Sequence, residues 1–187
     1  MRTLFVLSLL LSSLLSFSQI SKKQWLVGGD GTFSIINPSY NYSKYRSMEF
    51  SAGGGYFLIN KLAVGIRAGY KHNMESGENT NIYYKQTSTQ INVRPFVRYY
   101  FLPINRKLNL LTDVSYYHGW VRDENLYGYS KGKTFGYSFA SGPAFFITPN
   151  SALELTLNYD YDKSWYYTKS WRMKVGFQIH LGDSQQK

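Results

Sequence analysis

Hydrophobic residues recur at every second position along much of this chain, and segment 169–181 shows the pattern most clearly. Side chains of a β-strand point alternately to opposite faces, so one face of this segment is apolar and the other carries Arg172, Lys174, Gln178 and His180. A soluble β-sandwich buries such an apolar face, whereas a transmembrane β-barrel turns it toward lipid. The apolar positions are Trp171, Met173, Val175, Phe177, Ile179 and Leu181.

The same period of two predicts eight strands, over 24–35, 48–59, 62–71, 87–101, 108–116, 134–147, 153–161 and 169–181. Their connections alternate between long polar loops, including 73–81 and 121–133, and short turns near Asn60, Pro103 and Asn150. Outer-membrane barrels show this asymmetry, with short turns in the periplasm and long loops outside the cell. An even strand number lets strand 8 pair with strand 1, which removes the sheet edges. The pattern therefore predicts an all-β, eight-stranded, antiparallel, up-and-down transmembrane β-barrel with a filled polar lumen.

The aromatic residues support the membrane interpretation. With both termini in the periplasm, one group lies near the periplasmic strand ends: Trp25, Tyr56, Tyr99, Phe101 and Phe145. A second group lies near the outer ends: Phe33, Phe50, Tyr70, Tyr116, Trp120, Phe135, Tyr159 and Trp171. Two aromatic belts around an aliphatic band are typical of strands that cross both lipid interfaces. The main architectural alternative, a soluble periplasmic ligand-binding barrel, would need Leu153, Leu155 and Leu157 to face inward.

The N-terminal segment 1–19 has a different pattern, with a basic start, an apolar stretch from Leu4 to Leu15 and small residues after it. We interpret it as a secretory signal peptide cleaved near Ser18–Ile20, which leaves 20–187 as one barrel domain. The chain contains no cysteine, so disulfides, thiol chemistry and a lipid anchor on cysteine are excluded. These features predict export to the cell outer membrane.

Two short motifs resemble the small outer-membrane protein β-barrel family of Gram-negative bacteria. One is the sequence Pro-Phe-Val-Arg-Tyr-Tyr-Phe at 95–101 before a tight turn, and the other is Gly-Gly-Gly-Tyr at 53–56 followed by Lys-Leu-Ala-Val-Gly at 61–65. The resemblance implies a membrane barrel and brings no catalytic residues, because the family is defined by its architecture. Pro95 cannot donate a hydrogen bond to the sheet, so we expect a local bulge there.

Charged residues occupy inward positions on most strands: Asp30, Glu49, Arg67, Lys71, Arg94, Arg98, Asp113, Glu154, Asp160, Arg172 and Lys174. The five acids and six bases nearly balance. Uncompensated charge is costly in a dry interior, and an eight-stranded lumen is just wide enough to be filled by side chains. We therefore expect a structural ion-pair network that fills the lumen. The alternative is a narrow pore for small solutes with a slight preference for anions.

The sequence gives little support for catalysis, cofactor binding or metal binding. His118 lies near Ser115 and Asp113, but Ser115 and His118 differ in parity and should point to opposite faces. An enzyme that modifies outer-leaflet lipid therefore remains only as an alternative. The histidines and carboxylates lack the spacing of metal ligands. The basic residues are dispersed and form no nucleic-acid-binding motif, so no nucleic-acid partner is predicted.

The predicted loops suggest partners outside the cell. Basic residues at the outer rim could neutralise lipopolysaccharide phosphates: Lys44, Arg46, Lys85, Arg122, Lys131, Lys133, Lys163 and Lys169. Aromatic residues crowd the same segments, and tyrosine suits recognition surfaces because it offers rigid, amphipathic contact area: Tyr40, Tyr42, Tyr45, Tyr83, Tyr84, Tyr127, Tyr129, Trp165, Tyr166 and Tyr167. The function expected from sequence is thus a structural or surface-interaction role in contact with lipopolysaccharide and a possible extracellular ligand.

Overall fold

The computed structural model describes residues 20–36, 43–79, 82–103, 106–163 and 167–182, and within these the side chains of 36, 78, 79, 82, 83 and 167 are left aside. Eight strands follow one another in a closed, entirely antiparallel barrel, which confirms the predicted fold class. Their bounds are β1 Trp25–Ile36, β2 Lys44–Ile59, β3 Leu62–Asn79, β4 Ile82–Tyr100, β5 Leu108–Asn125, β6 Gly128–Thr148, β7 Ser151–Lys163 and β8 Tyr167–Leu181. The described residues include no helix long and apolar enough to cross a membrane. The interpreted signal peptide, 1–19, lies outside the described residues.

The strand faces have the predicted orientation. On β8, Trp171, Met173 and Val175 are 61–66% exposed, whereas Lys174 between them is 2% exposed. Leu153, Leu155 and Leu157 on β7 are likewise exposed, and Glu154 between the first two is buried. The apolar face therefore points outward on both strands, which contradicts the arrangement that a soluble ligand-binding barrel requires.

Two predicted loops are in fact strands. The pairing of β3 with β4 continues to Asn79↔Ile82, and that of β5 with β6 continues to Asn125↔Gly128. Residues 73–79, 121–125 and 128–133 therefore lie on paired strands rather than in irregular loops. The sequence pattern misses this extension because residues on both faces of these segments are mostly polar, so the alternation that reveals a strand disappears although the backbone pairing continues.

The short connections at one end of the barrel place bulges beside tight turns. Asn60 and Lys61 form a two-residue turn closed by the pair Ile59↔Leu62, with Lys61 at φ 70°. A second tight turn is closed by Thr148↔Ser151. The register shifts by one residue just before each turn, next to Phe57 and next to Phe146. The turns predicted near Asn60 and Asn150 are therefore confirmed, each with a bulge that the pattern does not reveal.

The bulge predicted at Pro95 is wrong. Pro95 pairs with Ile66 on β3 in a register that runs without a shift along β4. Toward β5, the pairs skip Arg94 and Pro95 and resume at Phe96 with the same offset. Pro143 on β6 behaves in the same way, since it pairs with β5 while the pairs with β7 skip it. The missing proline N–H is thus accommodated by local loss of pairing on one side.

The barrel closes between β1 and β8 over a shorter stretch than its other seams. Pairs run from Trp25↔Leu181 to Gly31↔Val175, whereas β1 stays paired with β2 as far as Ile36↔Tyr45. The closing contact therefore lies in the half of the barrel that contains the short turns.

Candidate functional site

The outer half of the lumen holds an ion cluster centred on one carboxylate, which we call the Glu49 cluster. Glu49 accepts a hydrogen bond of 2.6 Å from Lys174 Nζ, is ion-paired with Arg172, and lies 3.7 Å from Arg94 Nη2. Lys174 also lies 3.4 Å from Asp30 Oδ1. Four strands, β1, β2, β4 and β8, thus contribute to a single set of charges. Arg172 extends the cluster to β7, because its Nη2 is 2.8 Å from Asp160 Oδ2.

A second ion cluster, the Asp113 cluster, lies nearer the short turns. Asp113 is ion-paired with Arg67 and accepts a 3.0 Å hydrogen bond from Arg98 Nε. Arg98 also donates from Nη1 to both oxygens of Glu154, at 2.8 and 3.0 Å. The hydroxyl of Tyr100 donates to Glu154 Oε1 at 3.2 Å. Arg98 therefore joins β4 to β5 and β7 across the lumen.

The two clusters bring together ten of the eleven inward charged residues considered in the sequence. Lys71, the remaining one, is half-buried and stands opposite Glu49 in the β2–β3 register. Most of the paired side chains are at most 10% exposed, with Asp30 at 15% and Arg172 at 21%. Each carboxylate in the clusters has a cationic partner, which offsets the cost of removing these charges from water.

An apolar cluster closes the lumen below the Asp113 cluster, and the sequence reasoning missed it. Its largest side chains include Phe57, Tyr100, Leu111 and Phe146, all at most 4% exposed. The ring of His180 packs edge-on against Phe57 at 5.5 Å and against Phe146 at 5.4 Å between centroids. The sequence does contain a sign of this cluster, because near the short turns large apolar residues occupy inward as well as outward positions.

The N-terminal segment completes this closure. Ile20 is fully buried in the apolar cluster, and its carbonyl accepts a 3.0 Å hydrogen bond from the Lys61 amide. The Lys23 amide donates to the Phe57 carbonyl at 3.0 Å, and the Lys22 amide to Asn60 Oδ1 at 2.9 Å. The segment before β1 is therefore tied to the β2–β3 turn and covers that end of the barrel.

The outward surface is organised in bands. The middle of the barrel shows aliphatic side chains such as Ile66, Val97, Val114, Leu155 and Val175, all exposed. Aromatic residues flank this band on both sides: Trp25, Tyr99, Phe101 and Phe145 toward the short turns, and Phe33, Phe50, Tyr70, Tyr116, Trp120, Tyr137 and Trp171 toward the long hairpins. Exposed apolar surface of this extent calls for an apolar environment.

Beyond the outer aromatic belt lies a ring of positive charge, which we call the outer cation belt. Its eight members all occupy exposed, outward positions: Lys44, Arg46, Lys85, Arg122, Lys131, Lys133, Lys163 and Lys169. Among the side chains described in this band, Glu124 is the acidic residue that shares the outward face. The belt is therefore strongly cationic at the level where lipid headgroups would meet an inserted barrel.

Of the ten aromatic residues considered for recognition, four have described side chains. Tyr45 and Tyr84 lie on strands at partly buried positions, and the Tyr84 hydroxyl donates to Glu75 at 3.2 Å. Tyr127 is 95% exposed at the tip of the β5–β6 hairpin, and Tyr129 is 65% exposed on its outward face. Tyr83 and Tyr167 lie on strands with their side chains undescribed, and Tyr40, Tyr42, Trp165 and Tyr166 lie outside the described residues.

The residues considered for hydrolysis do not converge. Ser115 is buried and faces the lumen, whereas His118 is exposed on the outer face and packs edge-on against Trp120 at 5.6 Å. Asp113, the acid considered with them, is engaged by Arg67 and Arg98. A Ser-His-Asp mechanism needs its members within hydrogen-bonding reach, which these positions do not provide. Within the described part of the chain, no group of three or more histidines and carboxylates could hold a metal ion.

The shape of the barrel has clear counterparts among solved structures. Neisserial surface protein A matches with probability 1.00 and a TM-score of 0.59 over 83% of this chain and 96% of its own, at 17% identity. The chain has the fold of the small eight-stranded outer-membrane β-barrels. The outer membrane protein OprG of Pseudomonas aeruginosa matches with a TM-score of 0.60 over 89% of this chain and 99% of its own, at 10% identity.

The N-terminal β-barrel domain of OprF from the same organism is similar as well. It gives a TM-score of 0.53 and 12% identity over 87% of this chain and the whole of that domain. No family model and no curated protein matches the sequence. The likeness to these outer-membrane barrels therefore lies in the fold.

Proposed function

We propose that this protein resides in the outer membrane as a barrel with a closed lumen, and that it acts through its surface in a structural or interaction role. The observation that carries the proposal is the opposite character of the two faces. The inward face is filled by two ion clusters and an apolar closure, while the outward face shows an aliphatic band between aromatic belts. Such an outward face is what the lipid interfaces favour in membrane barrels.

The closed lumen argues for a non-conducting protein. A permeating ion would have to displace Arg98 from both Asp113 and Glu154, and then pass the ring packing of Phe57, Tyr100 and Phe146. Displacing Arg98 would take a buried cationic partner away from both carboxylates, and uncompensated charge in a dry interior is costly. We therefore favour the structural ion-pair network over the narrow pore.

The outer cation belt supplies the partner in this proposal. Eight exposed cations directly above the aromatic belt suit the phosphates of lipopolysaccharide, because each cation near an anionic membrane surface contributes about 1 kcal/mol of attraction. The long β3–β4 and β5–β6 hairpins extend beyond the belt and offer a surface to an extracellular ligand.

Two measurements test the proposal. Membrane fractionation combined with gel mobility before and after heating should place the protein in the outer membrane as a heat-modifiable barrel. Planar-bilayer recording of the refolded protein should show no sustained conductance steps. Recovery in the soluble periplasmic fraction would overturn the location, and regular conductance steps would overturn the closed lumen in favour of a small pore.

A further inference from the structure

The outer cation belt contains one place where charge and apolar surface form a built groove. A cavity of about 620 Å³ opens on the outward face of β4, β5 and β6. We call it the β4–β6 groove, and its lining side chains include Thr89, Ile91, Trp120, Arg122, Glu124 and Lys131.

The floor of the groove is apolar and belongs to the outer aromatic belt. Ile91 and Trp120 are directly opposite each other in the β4–β5 register and are 55% and 54% exposed. Opposite residues on one sheet face have their Cβ atoms about 5 Å apart, so these two form a continuous apolar surface. That surface is continuous with the aliphatic band below it, where an acyl chain would lie.

The wall of the groove carries two cations in an arrangement that needs an anion. Arg122 and Lys131 are directly opposite each other in the β5–β6 register, on the same outward face. Like charges in this position destabilise a sheet unless a counter-charge lies between them. Lys133, opposite Trp120, adds a third cation beside the groove.

The protein itself neutralises only part of this charge. Glu124 Oε1 lies 2.6 Å from Arg122 Nη2, but both side chains are about half exposed. The Tyr129 ring contacts both cations, with its centroid 4.9 Å from Arg122 Cζ and 5.7 Å from Lys131 Nζ. One carboxylate against three cations leaves the groove with a net positive charge.

We propose that the β4–β6 groove is a binding site for a phosphorylated glycolipid of the outer leaflet. One of its phosphates lies between Arg122 and Lys131, and an acyl chain runs over Ile91 and Trp120. The inference rests on the proposed outer-membrane location, and it goes further by assigning one discrete site within the cation belt. Along the membrane normal, the apolar floor of the groove lies toward the aliphatic band and the two cations lie farther out. This order matches an acyl chain followed by its phosphorylated headgroup.

A second groove provides a comparison within the same molecule. It has a volume of about 330 Å³ on the outward face of β1, β2 and β3, and its lining includes Phe33, Ile35, Arg46, Met48, His72 and Met74. Arg46 stands opposite Met74 rather than opposite another cation. This groove therefore has the apolar floor without the facing cations, and we expect it to accept acyl chains with little preference for phosphate.

The test compares two double variants that remove the same charge from the same belt. Arg122→Gln with Lys131→Gln alters the groove, and Lys44→Gln with Lys169→Gln removes two outward cations on β2 and β8. The refolded full chain in zwitterionic detergent is titrated with bis-phosphorylated lipid A, with chemically dephosphorylated lipid A of the same acyl composition, and with inorganic phosphate. Folding of each variant is checked by heat-modifiable gel mobility.

We expect the groove variant to bind bis-phosphorylated lipid A about 30-fold more weakly than the wild type, because two cations near the headgroup are lost. The control variant should lose less than about threefold, because one lipid A molecule in detergent contacts only the cations beside the groove, whereas the whole belt acts on a continuous anionic leaflet. Dephosphorylated lipid A should not distinguish the groove variant from the wild type. If the double variant fails to fold, the single Lys131→Gln variant carries the test with an expected loss of about fivefold.

Equal losses in the two double variants would overturn the discrete site in favour of a diffuse belt. Binding of inorganic phosphate as tightly as lipid A would overturn the lipid assignment and indicate a free-anion site. Neither result bears on fractionation or conductance, so failure of the groove and failure of the proposed function remain distinguishable.

Discussion

Glu49 on β2 and Arg172 on β8 are 123 positions apart in the sequence and form an ion pair inside the lumen. Strand β1 lies between them, paired with β2 on one side and β8 on the other. β1 and β8 are paired over residues Trp25 to Gly31 of β1, and this is the seam at which the barrel closes. The Glu49–Arg172 ion pair therefore spans that seam. The Glu49 carboxylate thus links the first and last parts of the chain.

Replacement of Glu49 by Gln should therefore destabilise the barrel strongly. The change leaves Lys174, Arg172 and Arg94 without their shared carboxylate, and breaking a buried pair from one side costs about 3–5 kcal/mol. The free energy of unfolding, measured by urea titration in lipid vesicles, checks this. Glu124→Gln is the matched control, because it breaks an exposed pair and should cost less than about 1 kcal/mol. An equal loss of unfolding free energy in the two variants would show that water enters the lumen and screens its ion pairs.

The sequence predicted the strand ends at the short turns better than those at the long hairpins. The start of β3 at Leu62 and the start of β5 at Leu108 agree with the structure, because hydrophobic alternation runs up to the turn there. At the opposite ends, β3 continues to Asn79 and β5 to Asn125 through residues that are polar on both faces. At these ends the strands pair through backbone hydrogen bonds, which the periodicity of the side chains does not report.

The inward position of the charged residues also followed from parity, but their partners did not. Arg98 contacts Glu154, which is 56 positions away on β7, and that choice depends on the width and stagger of the closed barrel. The apolar closure around Phe57 was missed for a related reason. Its members come from seven strands and from the segment before β1, and only closure of the sheet brings them into one cluster.

Two facing glycines make room for the aromatic ring that supports the Asp113 cluster. Gly55 and Gly65 are directly opposite each other, and a Cβ on Gly65 would clash with the Gly54 carbonyl oxygen. It would also lie 2.6 Å from Gly55 Cα and 2.6 Å from Phe96 Cζ, so both the β2 backbone and the ring would have to shift. The guanidinium of Arg67 lies 3.8 Å from the centroid of that ring. A methyl group at Gly65 would therefore displace Phe96 and, with it, Arg67.

We expect Gly65→Ala to lower the free energy of unfolding by about 1–3 kcal/mol, as overpacking does in tight interiors. Gly54→Ala is a close control, because its Cβ would meet no atom nearer than the Leu26 carbonyl oxygen at 3.4 Å. Thermal loss of the compact gel band provides the measurement for both variants. A destabilisation of Gly54→Ala as large as that of Gly65→Ala would indicate a general loss of backbone flexibility rather than contact with Phe96.

Loss of a side chain from the apolar closure should lower the stability of the barrel without making it conduct ions. Phe57→Ala removes a fully buried ring that packs against Tyr100 and His180, and it should cost about 3–5 kcal/mol. The variant should still show no sustained conductance in planar bilayers, because Arg98, Asp113 and Glu154 remain in place above the cavity. Channel activity in this variant would mean that the ion clusters leave a continuous path and that the apolar closure alone blocks the lumen.

The orientation of the strand faces can be tested by a charge placed in the middle of the outward band. Leu155 is exposed and stands opposite Val175, midway between the two aromatic belts. In a bilayer, Leu155→Arg should lower the free energy of unfolding by about 2–4 kcal/mol, whereas an arginine near the interface costs about 0–1 kcal/mol. Leu108→Arg, at the exposed first residue of β5 near the short turns, is the matched change that reports that second value.

The same pair of variants distinguishes the membrane barrel from a soluble one. An exposed leucine on a soluble barrel can be replaced by arginine within about 0.5 kcal/mol, because the new charge remains in water. A depth-dependent cost, large at Leu155 and small at Leu108, requires that a medium of low dielectric constant surrounds the middle of the barrel. Equal and small costs at both positions would contradict the outer-membrane location, even with the fold unchanged.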